Sequence, residues 1–236
     1  MKTITLIHTV KSMLLTFDKM VIEATGEAIR TFNLYDDFLA SPDPQRSAAA
    51  REQERLDRLY LLLKTAEPVS DLAVVACSTL SVEVQLVRRF FRMPVLAIDD
   101  VMLREAVRLG VPLTLFATSP NPIEPVQVRL KDIAIAAGLL PPQVSIALCT
   151  EALPHLLAND LPGLRAQVLS YLENLYPKPA AVVLAQASTA FMREEIEQMC
   201  GCPVLSSIPY CLAEILQILA SPKGPAKPRM SYCTAF

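Results

Sequence analysis

Short, nearly unbroken apolar runs recur along the chain and alternate with longer stretches whose apolar residues return every third or fourth position. The runs are ITLIHT at 4–9, AIRTFNLY at 28–35, AVVAC at 73–77, PVL at 94–96, LTLFAT at 113–118, VSIALC at 144–149, VVLAQ at 182–186 and PVL at 203–205. Runs of this length rich in Val, Ile and Leu predict strands buried on both faces of a parallel sheet. Between them, AAAREQERLDRLYLLLK at 48–64 and LRAQVLSYLENLY at 164–176 carry apolar positions near a 3.6-residue period and predict amphipathic helices.

Several of these segments form pairs at one spacing. ITLI at 4 and LTLF at 113, AVVAC at 73 and VVLAQ at 182, PVL at 94 and PVL at 203, and the helical VMLREAV at 101 and YCLAEIL at 210 are each 109 positions apart. One such match between apolar segments means little, but four at a single offset identify a duplication. Each copy reads β-α-β-α-β-α-β-α, which predicts a parallel sheet with right-handed crossovers and helices on both faces. The expected fold is therefore α/β, with two pseudo-symmetric flavodoxin-like domains, each a four-stranded parallel sheet flanked by helices. SPDPQ at 41–45, TSPNPIEP at 118–125 and the prolines at 141–142 read as connections, and the tail from Ser221 as a flexible or partner-packed extension.

Composition narrows the function classes. Hydrophobic residues make up 52% of the 236 and charged residues 19%, so the chain can bury a large core. The 22 Lys and Arg nearly balance 24 Asp and Glu, and no dense basic run carries interleaved aromatics, which argues against a nucleic-acid surface. No apolar run approaches the ~18–20 residues of a membrane span. The amino-terminal MKTITLIHTVKSMLLTF superficially resembles a secretory leader, but His8, Thr9 and Lys11 interrupt it and no small-residue cleavage site follows. A soluble, cytoplasmic protein is expected. Its cysteines (Cys77, Cys149, Cys200, Cys202, Cys211, Cys233) are expected to be reduced, and Cys200-Gly-Cys202 with Cys211 lacks the paired spacing and the nearby histidine of a metal centre.

Ligands of parallel α/β sheets bind beyond the carboxyl ends of the strands. The residues there are His8-Thr9, Asp36-Asp37, Cys77-Ser78-Thr79 and Asp99-Asp100 in the first copy, and Thr118-Ser119, Gln186-Ala187-Ser188-Thr189 and Ser206-Ser207 in the second. They are rich in hydroxyls, and none of the chain's six glycines forms a phosphate-binding loop. A cysteine that ends a strand and opens a helix should feel the helix dipole and free N–H groups, which would lower its pKa and favour the thiolate. The alternative for Cys77 is a small buried apolar residue, the commonest fate of a free cysteine.

The run VVACST at 74–79 resembles the first-cysteine motif of the cofactor-independent aspartate/glutamate racemase superfamily, and the resemblance extends over nearly the whole duplicated chain. It implies two halves related by a pseudo-twofold axis, a cleft between them as active site, a last helix that returns to the first half, and neither pyridoxal phosphate nor metal. The implied domains are 1–102 with 208–236, and 103–207. In such racemases each half supplies one cysteine, and the two flank the substrate α-carbon. Here the position matching Cys77 is Gln186, so the chain resembles a subgroup with the second cysteine replaced. Gln186 has no ionisable proton, so His8 becomes a candidate second acid or base, the alternative being a histidine that bonds a loop. Thr9, Ser78, Thr79, Thr118, Ser188 and Thr189 are the candidate carboxylate-binding hydroxyls, although each alone reads as a helix cap. Asp99 and Asp100 are expected to cap the helix that follows, and His155 to be exposed. The expected function is isomerisation of a small amino acid or carboxylate by α-proton transfer. A one-thiol decarboxylase or lyase and a non-catalytic carboxylate-binding module are the alternatives, and a second copy of the chain is a candidate partner.

Overall fold

The computed structural model describes residues 1–26, 29–40 and 45–221. Most of the SPDPQ connection, the tail beyond Ser221 and Cys233 lie outside the described residues. The first half runs β1 (Lys2–His8), α1 (Lys11–Thr25), β2 (Ile29–Tyr35), α2 (Ala48–Ala66), β3 (Leu72–Val75), α3 (Ser81–Val87), β4 (Val95–Ala97) and α4 (Asp100–Arg108). The second runs β5 (Leu113–Ala117), α5 (Ile123–Ala136), β6 (Val144–Leu148), α6 (Leu153–Leu157), α7 (Leu161–Glu173), β7 (Val182–Leu184), α8 (Arg193–Cys200), β8 (Val204–Ser206) and α9 (Ser207–Ala220). Local chemistry sets several boundaries. Ser47 caps α2 by accepting from the Ala50 N–H, Asp160 caps α7 by accepting from the Gly163 N–H, and Gly201 ends α8 with φ 65°, a conformation glycine adopts without steric cost.

Each half builds one parallel four-stranded sheet, in the orders β2-β1-β3-β4 and β6-β5-β7-β8. The duplication extends to individual pairs. Thr5 faces Ala73 and Ala73 faces Val95 in the first sheet; 109 residues later Thr114 faces Val182 and Val182 faces Val204. The ladder bond that closes each central pair is repeated too, from the Ala76 N–H to the Ile7 carbonyl at 2.8 Å and from the Ala185 N–H to the Phe116 carbonyl at 2.9 Å.

Apolar side chains cover both faces of each sheet, and two helices are exchanged between the halves. Ile208, Cys211 and Ile215 of α9 pack with Ile4, Leu6 and Val74 of the first sheet and with Phe17 of α1. In the reverse direction Met102, Leu103 and Ala106 of α4 pack with Leu113, Leu115 and Val183 on the second. The Lys2 ammonium, which donates to the Leu219 carbonyl, pins the far end of α9 to β1. One buried charge cluster reinforces the join: Asp100 at the start of α4 accepts from Gln85 of α3 (2.9 Å), from Arg88 just after α3 (2.9 Å) and from Arg129 of α5 (3.2 Å). Arg129 is 8% exposed.

Removing one member of a buried ion pair leaves the other charge underpaired and typically costs ~3–5 kcal/mol. Arg129→Ala is therefore expected to lower the urea-unfolding free energy by about 3 kcal/mol, and an unchanged midpoint would show that α5 does not depend on this contact.

Candidate active site

In each sheet the chain leaves the first strand on one side and returns on the other, so the topological switch point lies between β1 and β3, and between β5 and β7. Ligand-binding crevices open at such points. The registers bring His8 and Thr9 beside Cys77 in the first half, and Thr118 beside Gln186 in the second. Cys77 and Gln186 have the same backbone role: each is extended (φ −149° and −126°) and opens a 3-10 turn, Ser78–Leu80 and Ala187–Met192 respectively. The turn after Cys77 packs against α5 of the second half and the turn after Gln186 against α1 and α9, so each faces the other half.

Cys77 is 8% exposed. The expectation of a lowered thiol pKa is not met: burial pushes the thiol up, and this outweighs the hydroxyls of Thr9 and Thr79 and the N–H groups of Thr79 and Leu80, which favour the thiolate. The reason is local. Cys77 opens a single 3-10 turn, and the α-helix begins only at Ser81, so no long helix dipole ends on the sulfur. The Thr9 hydroxyl is buried and makes no hydrogen bond among the described residues. At rest the site holds a neutral thiol, and the neighbouring Thr9 and Thr79 hydroxyls favour the thiolate once it forms.

Gln186 is committed to its own half. Its Oε1 accepts from the Thr118 N–H (2.6 Å) and the Thr118 hydroxyl (3.0 Å), and its Nε2 donates to the Ser119 hydroxyl at 3.4 Å. The Gln186 carbonyl accepts from the Thr189 hydroxyl at 2.9 Å. Two of the candidate carboxylate-binding hydroxyls, Thr118 and Thr189, thus hold Gln186. Ser78 is buried, while Thr79 and Ser188 are half-buried.

His8 ends β1 on the face that carries Ile4 and Leu6, whereas Cys77 continues the face of Ala73 and Val75; the two side chains leave opposite faces of the sheet. The imidazole is fully buried against the Phe17 ring, its centroid 6.4 Å away, and burial lowers its pKa despite the hydrogen bond to Asn33 and the nearby Asp18 carboxylate.

Asp99 occupies the cap position of α4 but, contrary to expectation, does not cap it. Its buried carboxyl turns to the Ser81 hydroxyl, 2.6 and 2.7 Å from its two oxygens, and burial together with the neighbouring Asp100 charge raises its pKa to about 7. Ser81 donates to the Ser78 carbonyl at 2.9 Å, so the protonated acid, Ser81 and the turn after Cys77 form one hydrogen-bonded line. Sequence reasoning did not identify Ser81 in this role, or Asn33 and Asp18 behind His8; the only available signal was a polar residue at an inward position of an apolar element. Asp36 caps the turn after β2 and pairs with Arg58, and His155 is half-buried and bonded to Asp160 at 2.7 Å. Among the described residues no group of three or more His, Cys, Asp or Glu side chains could hold a metal ion, and no helix is long and apolar enough to cross a membrane. A cavity of about 370 Å³ lies elsewhere, between α4, α8, β8 and α9, and includes none of the candidate residues.

Two duplicated α/β halves with their switch points at matching positions form the two-domain racemase fold. The Asp/Glu/Hydantoin racemase family matches over residues 9–215, and the chain belongs to it. No curated protein matches in sequence. Among solved structures the chain is similar to the glutamate racemase of Thermus thermophilus, solved with β-chloro-D-alanine (19% identity, TM-score 0.63, covering 95% of this chain and 84% of that one). It also resembles the aspartate racemase of Picrophilus torridus (13%, 0.65, 92% and 94%) and the allantoin racemase of Pseudomonas fluorescens (14%, 0.62, 97% and 97%). At these identities the likeness is one of fold.

Because the folded-state pKa of Asp99 lies above its ordinary value of 3.8, the native state holds a proton that the unfolded chain releases between pH ~4 and ~7. The stability this proton contributes is complete below that window and is lost as pH rises through about 7. Asp99→Asn, whose amide can still donate to Ser81, should remove the dependence. The wild-type minus variant difference in unfolding free energy is expected to fall by a few kcal/mol from pH 5 to 8, and a difference constant with pH would contradict the assignment.

Proposed function

We propose that this chain is a racemase-type isomerase that moves the α-proton of a small amino acid or carboxylate without a cofactor, with Cys77 as its proton-transfer group; His8, on the opposite face of the sheet, instead holds the end of β1 through Asn33. The observation that carries this reading is the buried Cys77 side chain at the switch point of the first sheet, beside Thr9 and Thr79, whose hydroxyls favour its thiolate. The Cys77 thiol is neutral at rest, because burial raises its pKa. After that thiol passes its proton to solvent, the thiolate takes the α-proton, the C–H electron pair passes into the carboxylate-stabilised carbanion, and a water molecule delivers a proton to the opposite face. This leaves thiol and hydroxide, which restore thiolate and water for the next turnover. The hydroxyls of Thr9, Thr79 and Ser188 hold the substrate carboxylate, Ser78 lines the turn, and Thr118, Thr189 and Gln186 form the opposite wall. The functional units are residues 1–102 with 208–236, and 103–207; the packing of α4 on the second sheet and of α9 on the first supports boundaries near the starts of these two helices.

A second reading is favoured by one observation, the engagement of Gln186 with Thr118 in place of a second thiol. A decarboxylase or lyase needs only one proton donor, because the leaving group vacates the other face.

Incubation with a panel of amino acids, hydroxy acids and hydantoins in heavy water separates the two. The isomerase reading predicts deuterium at the α-carbon of at least one compound, with Cys77→Ser slowing its uptake about 10²- to 10⁴-fold. Carbon dioxide release or elimination without exchange favours the second reading. Full exchange activity in Cys77→Ser would overturn both.

A further inference from the structure

The Ser81 hydroxyl stands between two acceptors and has one proton to give. Its Oγ is 2.9 Å from the Ser78 carbonyl and 2.6 and 2.7 Å from the two carboxyl oxygens of Asp99, and all three residues are buried. A hydroxyl donates once, so both contacts are hydrogen bonds only if Asp99 carries a proton and donates it to Ser81. Ser81 then gives its own proton to the Ser78 carbonyl, which also accepts from the Ser81 backbone N–H. If Asp99 ionises, the charge-assisted bond to the carboxylate takes the Ser81 proton, and the Ser78 carbonyl keeps the backbone donor alone.

The surroundings favour the proton. Arg88 and Arg129, the cations that could offset a second negative charge, donate to Asp100. Arg129 still favours an ionised Asp99 through space, but burial and the Asp100 charge act the other way and prevail. On α3, Glu83 turns to Arg55 of α2; on α9, Cys211 near Asp99 is a buried thiol held neutral, and Glu214 pairs with Arg104. The turn that Ser81 holds carries Thr79, whose hydroxyl favours the Cys77 thiolate, and its Leu80 N–H donates to the Cys77 carbonyl at 3.1 Å. Resting on the reading of Cys77 as the proton-transfer group, we propose that Asp99 and Ser81 are positioning residues of this site: a proton on Asp99 frees the Ser81 hydroxyl to hold the turn after Cys77, and loss of that proton releases the turn.

The hydrogen-bond exchange can be read without knowing the substrate. In carbon-13 and nitrogen-15 NMR spectra of labelled protein, the Ser78 carbonyl carbon and the Thr79 amide nitrogen, which share one peptide group, should shift together with the Asp99 carboxyl carbon through a single midpoint at about pH 7. Asp99→Asn keeps a donor toward Ser81 and should hold both signals in their low-pH positions from pH ~5 to ~9. Ser81→Ala should abolish the step, since the Ser78 carbonyl then has its remaining backbone donor at every pH. Where α-hydrogen exchange is measurable, the wild-type rate relative to Asp99→Asn should fall about fivefold across the midpoint, the factor one net hydrogen bond is worth. A Ser78 carbonyl that does not titrate in the unsubstituted protein, one that still titrates in Asp99→Asn, or an exchange ratio constant through the midpoint would overturn the proposal. The first of these needs only the wild-type chain, so a Ser81→Ala protein that fails to fold leaves the test intact. A titrating carbonyl with no exchange on any compound would instead overturn the isomerase reading and leave the hold of Asp99 and Ser81 on the turn standing.

Discussion

The parallel register between the first and third strands of each half governs everything that follows it. Thr5 opposite Ala73 and Thr114 opposite Val182 bring the ends of β1 and β3, and of β5 and β7, side by side at the point where the chain reverses its direction of winding. A slip of one residue would turn His8 and Cys77 to the other faces of the sheet and carry Ile4, Leu6, Val74 and Val75, all now fully buried, each into the core packed for the opposite face. The burial of four apolar faces therefore fixes the position of the chemistry, and the chemistry adds nothing to that constraint.

The second organising feature is the exchange of α4 and α9. Each helix completes the core of the half that did not precede it, so neither sheet is fully covered without the other. The charge cluster on Asp100 lies at this join, with Arg129 reaching it from the second half and Arg88 from the first. On the same helix start, Asp99 supports the turn after Cys77 through Ser81 and Ser78. The contact that holds the halves together is thus adjacent to the one that shapes the thiol site, and a protonation event at Asp99 bears on both.

Much of the fold was legible in the sequence because doubly buried strands leave unbroken apolar runs, and the matched segments recur at one spacing. The second strands did not join that pattern: Ile4 pairs with Thr31 but Leu113 with Val144, residues 113 apart, because the first crossover of the second half is longer. The exchange of α4 was not legible, since an apolar helix face does not say which sheet it covers. At the site, the motif and the offset identified Cys77 and Gln186 as matched positions, but local context misjudged the thiol. The rule that helix starts lower a cysteine pKa assumes a helix, and here a single 3-10 turn intervenes while burial acts in the opposite sense. Asn33, Asp18 and Ser81 escaped notice for a similar reason: their roles come from partners 15 to 25 positions away in the chain, which only the folded arrangement supplies.

Gln186 and Cys77 express one ancestral position in two ways. The glutamine ties down the end of β5, while the cysteine is a buried neutral thiol whose Thr9 and Thr79 neighbours favour the thiolate. The central claim is that a carboxylate-binding crevice surrounds that sulfur. Alkylation with bromoacetate and with uncharged bromoacetamide, followed by peptide mapping over all cysteines, tests this most directly. The account predicts that bromoacetate modifies Cys77 faster than bromoacetamide does and ahead of Cys149, Cys200, Cys202 and Cys211, with the preference lost in Thr79→Val. Faster reaction of the uncharged reagent at Cys77, or first modification at Cys200 or Cys202 by both reagents, would contradict it.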